Sequence, residues 1–486
     1  MRNRYATLLA ATALAVALIS QGLSLAQAAS GSHPNAGSFS GTWGNATEIP
    51  GLALLNAGGG VDLSAVSCTA PGDCAAGGIY GASDSVEEGF VVSQHNGVWG
   101  NAMEVPGLAR LNVGRYASVD TLSCAAAGDC SAGGQYTARH GQFQAWVATE
   151  RDGVWGTAIE VPGSARLDVA GGADIGTMSC TKPGDCTAGG EYGVAGFSGG
   201  ASQALVVTER NGVWGRAMEV PRTGRLNYLG QAEVESVSCA APGDCSAGGY
   251  YLDRHDNQDA FVVTQHGGRW GKAAEVRGPA RLIAGGGAIE SVSCARVGYC
   301  SAGGDLNGEA IVVAQRGGRW GRAAEVPGSA RLNTADDAEI ESVSCAAPGD
   351  CSAGGYYSSG NYNSQAFVVT ERRGRWGKAI EVPGSGRLNT TGMAEVDAVS
   401  CAAPGDCSAG GDYSGADGNS QAFVVTERDG RWGKVLEVPG SARLNTGGDA
   451  ETEAVSCAAP GRCSAAGEYA NGRGGTDLQG FVVTES

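Results

Sequence analysis

Apolar and polar residues along this chain fall into short runs of strand length. Ala366-Phe367-Val368-Val369-Thr370 is apolar almost throughout, as a strand covered on both faces is. Around it the pattern predicts four strands. Strand a is Glu341 to Cys345, and a five-residue loop with Pro348-Gly349 turns the chain. Strand b runs from Cys351 to Tyr357, strand c from Gln365 to Glu371, and strand d from Arg375 to Val382. The c–d turn carries Asn96-Gly97, Asp152-Gly153, Asn211-Gly212 or Asp429-Gly430 in other copies, which suits a two-residue type I′ hairpin. No segment after the leader shows helical periodicity with caps. The class is all-β.

The unit recurs. Successive copies are 51 to 59 residues apart, measured between their first cysteines. A fixed period of this size means a propeller, solenoid or array. Each copy carries a Gly-x-Trp whose indole is expected to cover the blade edge or the gap between blades. The ends of the chain choose among these architectures. A lone strand d at Thr42 to Ile49 opens the repeat region, and a strand c at Gly480 to Glu485 ends it. Each fragment lacks what the other supplies. Pairing them completes an eighth unit and closes an eight-bladed β-propeller of four-stranded blades, a closure that protects strand edges. An open solenoid would need atypical capping units instead.

Before the repeats, Arg2 and Arg4 precede an apolar stretch from about Ala6 to Ile19, followed by Ala26-Gln27-Ala28. This is the pattern of a secretory signal, too short to span a bilayer. The domain reading is a signal peptide at 1–28, a flexible linker at 29–40 and one propeller at 41–486. Export agrees with the cysteines. All sixteen fall in Cys-x5-Cys pairs: Cys68/Cys74, Cys124/Cys130, Cys180/Cys186, Cys239/Cys245, Cys294/Cys300, Cys345/Cys351, Cys401/Cys407 and Cys457/Cys463. Each pair is expected to tie strand a to strand b as one disulfide per blade. Zinc is the rival reading, but structural zinc sites gather closer spacings and four ligands.

Composition narrows the partners. With 50 acidic and 33 basic residues the net charge is −17, which argues against nucleic acid and anionic membranes. Glycine is unusually frequent at 82 residues, and aromatics are scarce at 6%, so the core is thin. The protein is expected to be an exported monomer with no membrane insertion.

In a propeller the a–b and c–d turns share one face and the b–c and d–a loops the other. The turns are short and repeated here, while the b–c loops differ in every copy. Any binding surface is therefore expected on the loop face. Three features point there. Strand a begins with acids: Asp120, Glu235, Glu290, Glu341, Asp397 and Glu453, with Asp62, Asp174, Glu233, Glu339, Glu395 and Glu451 further back. Residues two apart share a strand face, so the channel mouth is expected to be acidic. Such a mouth would attract a basic partner, hold a calcium ion, or serve as a solvated rim. No other cofactor and no metal cluster is implied.

Glu48, Glu104, Glu160, Glu219, Glu275, Glu325, Glu381 and Glu437 end strand d. Arg110, Arg166, Arg225, Arg281, Arg331, Arg387 and Arg443 follow six residues after theirs, with Leu54 in the first copy. A Glu–Arg pair is expected to lock each d–a loop. Tyr80, Tyr136, Tyr192, Tyr251, Tyr357, Tyr413 and Tyr469 stand six residues after a second cysteine, with Leu306 in the fifth unit. Tyr beside Arg and Glu is a common way to hold a sugar, and repeated weak sites gain by multivalency. Packing beneath its own loop is the alternative for each tyrosine.

Catalytic signals are sparse. His33, His95, His140, His255 and His266 are scattered, and there is no G-x-S-x-G, H-E-x-x-H or P-loop. The fifth unit diverges most, with Arg296, Val297 and Tyr299 in its turn and a b–c loop of three residues, 307–309.

Ser-Val-Ser-Cys-Ala-Ala-Pro-Gly-Asp-Cys-Ser-Ala-Gly-Gly-Tyr-Tyr, with Gln-Ala-Phe-Val-Val-Thr-Glu and Gly-x-Trp-Gly, resembles secreted disulfide-repeat proteins of actinobacteria, over about Gly41 to Glu485. More distantly, the pattern is similar to propeller subunits of umbrella-shaped toxin particles. The resemblance implies a propeller fold. The reading is a non-catalytic exported propeller that binds glycans or an extracellular or cell-surface protein through its loop face. The alternatives are an adaptor subunit of a secreted assembly and a carbohydrate-active enzyme.

Overall fold

The computed structural model describes residues 41–486, apart from 195–200, 229, 283–285, 361–362 and 473–476. The expected signal peptide and linker lie outside the described residues. Eight antiparallel sheets follow one another along the chain. In the sixth, strand a spans Ala338–Ala347, strand b Asp350–Ser358 and strand c Ser364–Arg372. Strand a of each blade lies beside strand a of the next, so these strands line the centre and strand d is outermost.

Strand d differs from the expectation. It is split into Arg375–Trp376 and Ile380–Glu381, both paired with strand c. The break has a cause in the backbone. The Ala379 N–H leaves its own blade and donates to the Pro327 carbonyl of the preceding repeat at 2.8 Å. After strand d the chain makes one helical turn, Ser385–Leu388, entered through Gly384 at φ 98°, a left-handed conformation that suits glycine. Four residues are too few to carry a helical period, so the turn was invisible in the pattern.

The ring closes as the chain ends required. Thr47–Glu48 pairs with Phe481 and Val482, and Trp43 bridges Glu485. All eight cysteine pairs are bonded as expected: Cys68–Cys74, Cys124–Cys130, Cys180–Cys186, Cys239–Cys245, Cys294–Cys300, Cys345–Cys351, Cys401–Cys407 and Cys457–Cys463. Each cystine joins residues that face each other across the a–b hairpin, such as Cys345 and Cys351.

The spacing predicted the bonds but carried no sign of their burial. The second cysteine of each pair is buried, and Cys130, Cys186, Cys245 and Cys407 are only 2–3% exposed, as are Cys351 and Cys463. Strand b lies one place out from the channel, and its cysteine is shut in against the preceding blade. In blades 1, 3, 4, 5, 6 and 8 the sulfur lies against a serine or threonine hydroxyl of the preceding blade, and in blade 2 it packs into a hydrophobic cluster. Cys130 joins Leu122 and Trp155, while Cys186 Sγ lies 3.4 Å from Ser131 Oγ and Cys245 Sγ 3.4 Å from Thr187 Oγ1. Cys407 is covered to the same degree. These cysteines are core residues of the seams.

What joins blade to blade is polar as well as apolar. The serine before each first cysteine accepts the N–H of the first cysteine in the next blade. Cys401 N–H donates to Ser344 Oγ at 2.9 Å, and the equivalent bonds run round the ring to Cys68 and Ser456 at 2.9 Å. The indole N–H of Trp432 donates to Thr370 Oγ1 of the preceding blade at 3.1 Å, and Trp320 does the same to Thr264. The tryptophans thus cover the gaps between blades, as the repeat implied. Buried Glu427 accepts from Ser352 and Thr370 of the blade before it, both at 2.6 Å. A hydrophobic cluster lies under each such seam, as with Val396, Val399 and Phe423 against Ala366 and Val368.

The paired glycines of strand b allow this approach. A Cβ on Gly354 would collide with Val396 of the next blade, and one on Gly355 with the Glu339 carbonyl. Gly354→Ala is therefore expected to cost about 1–3 kcal/mol through overpacking, and Ser344→Ala about 1 kcal/mol through its lost hydrogen bond. Urea unfolding of the oxidised protein measures both, and a Gly354→Ala midpoint equal to the parent's would contradict the packing account.

Candidate functional site

The central channel is walled by the strand-a carboxylates. In blade 6 the register passes from Ile340 opposite Gly355 to Ser342 opposite Gly354, so Glu341 is an extra, unpaired bulge residue. Glu235, Glu290 and Asp397 occupy the same bulge in their blades. A bulge re-aims the side chain it carries. It brings the second acid of each blade toward the first, which simple alternation along the strand was expected to do.

These carboxylates are one another's neighbours, and burial raises them. Glu341 is pushed from its ordinary 4.5 to about 7 by desolvation, then by Glu290 and Glu395 of the adjoining blades. Asp120 is raised to about 7 and Asp174 to about 6, burial again being the main cause. Glu233, Glu235, Glu290, Glu339 and Glu453 are shifted up by burial and then by nearby acids, and Asp397 is held well above the usual carboxylate range for the same reasons. Strand b adds acids the sequence reading missed: Glu191 and Asp412, each at about 7, and Glu468 at about 8. Their position, five residues after the second cysteine, also holds Tyr250 and Tyr356, so no repeated acid marked it. Among the described residues no three of these acids, with or without His, form a group able to hold a metal ion.

The seven repeated tyrosines lie elsewhere than a sugar site requires. Their rings are buried, from 3% exposed at Tyr80 to 5% at Tyr413. Their hydroxyls donate to the glutamate that ends strand d of the same blade. Tyr136 reaches Glu160 at 3.1 Å, Tyr192 Glu219 at 3.2 Å, Tyr357 Glu381 at 3.2 Å and Tyr413 Glu437 at 3.0 Å. Tyr80 reaches Glu104 at 3.4 Å, Tyr469 turns to Glu48, and Tyr251 turns to Asp259. A ring covered on both faces offers no stacking platform, and of the two readings the packing one fits this geometry.

The same bonds displace the expected Glu–Arg lock. Among the described residues the one such pair is Arg281 with Glu325 at 2.5 Å, and it crosses from one repeat to the next. It forms where Leu306 replaces the tyrosine and leaves Glu325 without its usual donor. The lock on the other d–a loops is the residue after Arg-Leu. Asn389 Nδ2 donates to the Ser364 carbonyl at 2.9 Å, and its Oδ1 accepts from Gly392 N–H at 3.0 Å. Asn445 and Asn227 repeat the arrangement, and Asp168 replaces it in blade 2. Its constancy in the sequence was the available signal.

The arginines are left pointing into solvent. Arg110, Arg166, Arg225, Arg281, Arg331, Arg387 and Arg443 are all exposed on the short helical turns of the loop face, and Leu54 in their place is 89% exposed. Concavities open on the opposite face, between the disulfide hairpins of neighbouring blades. One of about 340 Å³ lies at the closure seam beside Cys68 and Cys463, and one of about 330 Å³ between blades 4 and 5 beside His266 and Val297. The divergent turn of the fifth repeat therefore shapes grooves on the turn face.

No family model matches the chain, and no curated protein matches it in sequence. Solved structures do. Sqt1 of Chaetomium thermophilum is 12% identical with a TM-score of 0.51, over 91% of this chain and 98% of that one. An ulvan lyase of a polysaccharide lyase family is 10% identical with a TM-score of 0.42, over 74% of this chain and 91% of that one. A Hadza microbial sialidase is 9% identical with a TM-score of 0.36, over 73% and 74%. At these identities the likeness is one of fold alone.

The raised carboxyls give a signed pH dependence. Each binds its proton more tightly folded than unfolded, so its contribution is full below pH about 4 and is lost as pH rises through about 6 to 8. The thermal midpoint is expected to fall between pH 5 and pH 8.5. Glu341→Gln should flatten that fall, which scanning calorimetry across the range would register. A midpoint that rises with pH would refute the shifted acids.

Proposed function

We propose that this protein is a non-catalytic binding propeller that takes an extracellular glycan or protein through its loop face. The observation that carries the reading is the ring of exposed arginines on the short helical turns. Apart from Arg281, these arginines are free of the glutamate expected to occupy them, and a buried asparagine or aspartate fastens the loop that follows. Equivalent cations at repeated stations suit a ligand with repeated acceptors, because several weak contacts add through high effective concentration. Around them run the b–c loops, which differ from blade to blade and so can make one sector of the face specific. The acid-walled channel within the ring favours a basic element of a protein partner at the centre. Export, expected from the leader and in keeping with eight disulfides, argues for a partner outside the cell.

A carbohydrate-active enzyme is the second reading. It is favoured by carboxyls such as Asp412, raised to about 7, which would be protonated donors near neutrality.

A glycan array that includes bacterial cell-wall polysaccharides, together with capture of partners from culture fluid, tests the first reading. Replacing Arg331, Arg387 and Arg443 together by Gln is expected to weaken binding about tenfold or more, while single replacements have small effects. Hydrolysis of an array sugar that disappears in Asp412→Asn alone would instead establish the enzyme.

A further inference from the structure

The eight repeats act as controls for one another at the outer edge of the ring. There, strand d reads Gly-x-Trp-Gly-x, and its two variable positions divide the circumference into sectors. In blades 4 to 7 they are Arg269 and Lys272, Arg319 and Arg322, Arg375 and Lys378, and Arg431 and Lys434. All eight side chains are exposed. In blades 8, 1 and 2 the same positions hold Thr42 and Asn45, Val98 and Asn101, and Val154 and Thr157. Blade 3 is the boundary, with Val213 and Arg216. Val98, Val154 and Val213 are at least 70% exposed, so the change is not imposed by packing. A chain of net charge −17 has placed an unbroken cationic arc on half of its rim.

The surroundings of the arc are those of a binding surface. Between each pair of cations stands a tryptophan, and Trp270, Trp320, Trp376 and Trp432 are half-buried, as are Trp43 and Trp99 of blades 8 and 1, whereas Trp155 of blade 2 and Trp214 of the boundary blade are buried. Indole bonds to the preceding blade fix Trp320 and Trp432 in place. Grooves run between neighbouring outer edges. One of about 350 Å³ is lined by Trp43, Arg431 and Lys434 at the seam of blades 7 and 8.

We propose that this arc binds an anionic polysaccharide along the rim, a site apart from the loop face. The partner follows from the charge layout. On strand d the cations occur as one pair per blade, joined at the c–d turns of blades 5 and 6 by exposed Arg316, Arg372 and Arg373, and Glu275, Glu325, Glu381 and Glu437 follow closely on the same strands. A duplex with a charge about every 1.7 Å would bring many phosphates against those acids. A chain whose charges are separated by neutral sugar meets the cation pairs and avoids the glutamates. Arginine pairs bidentately with carboxylate or sulfate, and an indole edge beside it takes the apolar face of a sugar. A flat membrane meets a convex rim along a narrow line and engages few of the pairs at once.

The test uses the full oxidised protein and labelled hyaluronan, polygalacturonate and chondroitin sulfate, followed by fluorescence anisotropy. At least one polysaccharide is expected to bind, and about tenfold more weakly in 200 mM than in 50 mM salt. Preference between the first two and the third assigns the anion as carboxylate or sulfate. Joint replacement R269Q/R319Q/R375Q/R431Q should weaken binding at least tenfold with the unfolding midpoint unchanged. Removing four charges from the loop face, R225Q/R331Q/R387Q/R443Q, should leave it within about twofold. V98R/V154R/V213R, which extends the arc, should tighten it. Absence of binding by all three polysaccharides, tighter binding of duplex DNA or phosphatidylglycerol vesicles, or loss confined to the loop-face variant would overturn the proposal. The last result would leave the loop-face reading standing.

Discussion

Everything in this molecule depends on how closely adjacent blades approach. The inner strands meet through the N–H of one cystine and the hydroxyl of the serine before another, repeated at every seam. That hydrogen bond is short in reach, so the strands must be nearly in contact. Small residues make the contact: Gly354 under Val396, and alanines on either side. The cystines hold each hairpin at the width the next one requires, and their buried halves fill the seam themselves. A core with so few aromatics can be stable because polar groups at the seams are matched in pairs, Ser to Cys, Thr to Trp and Ser or Thr to Glu.

The same close approach explains the electrostatics. Bringing eight inner strands to one axis forces their channel-facing side chains into a common space. Because those are carboxylates in most blades, they keep protons that isolated acids would release. The channel is less charged near neutrality than its composition suggests. Much of the nominal negative charge of the chain is thus muted where it is densest, while the rim cations remain fully charged in water.

The fold was legible because the repeat was. A fixed period, a hairpin cystine and two incomplete end units admit few architectures, and the observed ring has the expected blades, seams and closure. The local errors share one origin: a pattern gives spacing along the chain but not competition in space. Glu437 was paired on paper with Arg443, yet Tyr413 reaches it first from the neighbouring strand. Cys245 and Cys407 tie strand a to strand b as expected, and only the neighbouring blade shows that they are also core. The split of strand d follows from an N–H that bonds to another repeat, which no window of a few residues contains. The acids of the channel were visible, but the bulge that gathers them was not, since Glu341 looks like any other residue in an alternating run. Net charge is a single sum and carries nothing of the arrangement of Arg and Lys around the rim, although the residues themselves stand in register in the repeat.

The last blade draws its outer strand from the beginning of the chain, Thr47–Glu48, and its other three from the end. A polypeptide made from its amino terminus must therefore keep that first strand waiting until the final seven-residue strand, Leu478–Thr484, has appeared. All eight hairpins and their cystines can form meanwhile, each from residues only six apart. The product before closure is an open arc with two sticky ends. Its completion is a question of chain order and time, and a chain cut short by its last few residues would be left as a string of finished blades able to join another string.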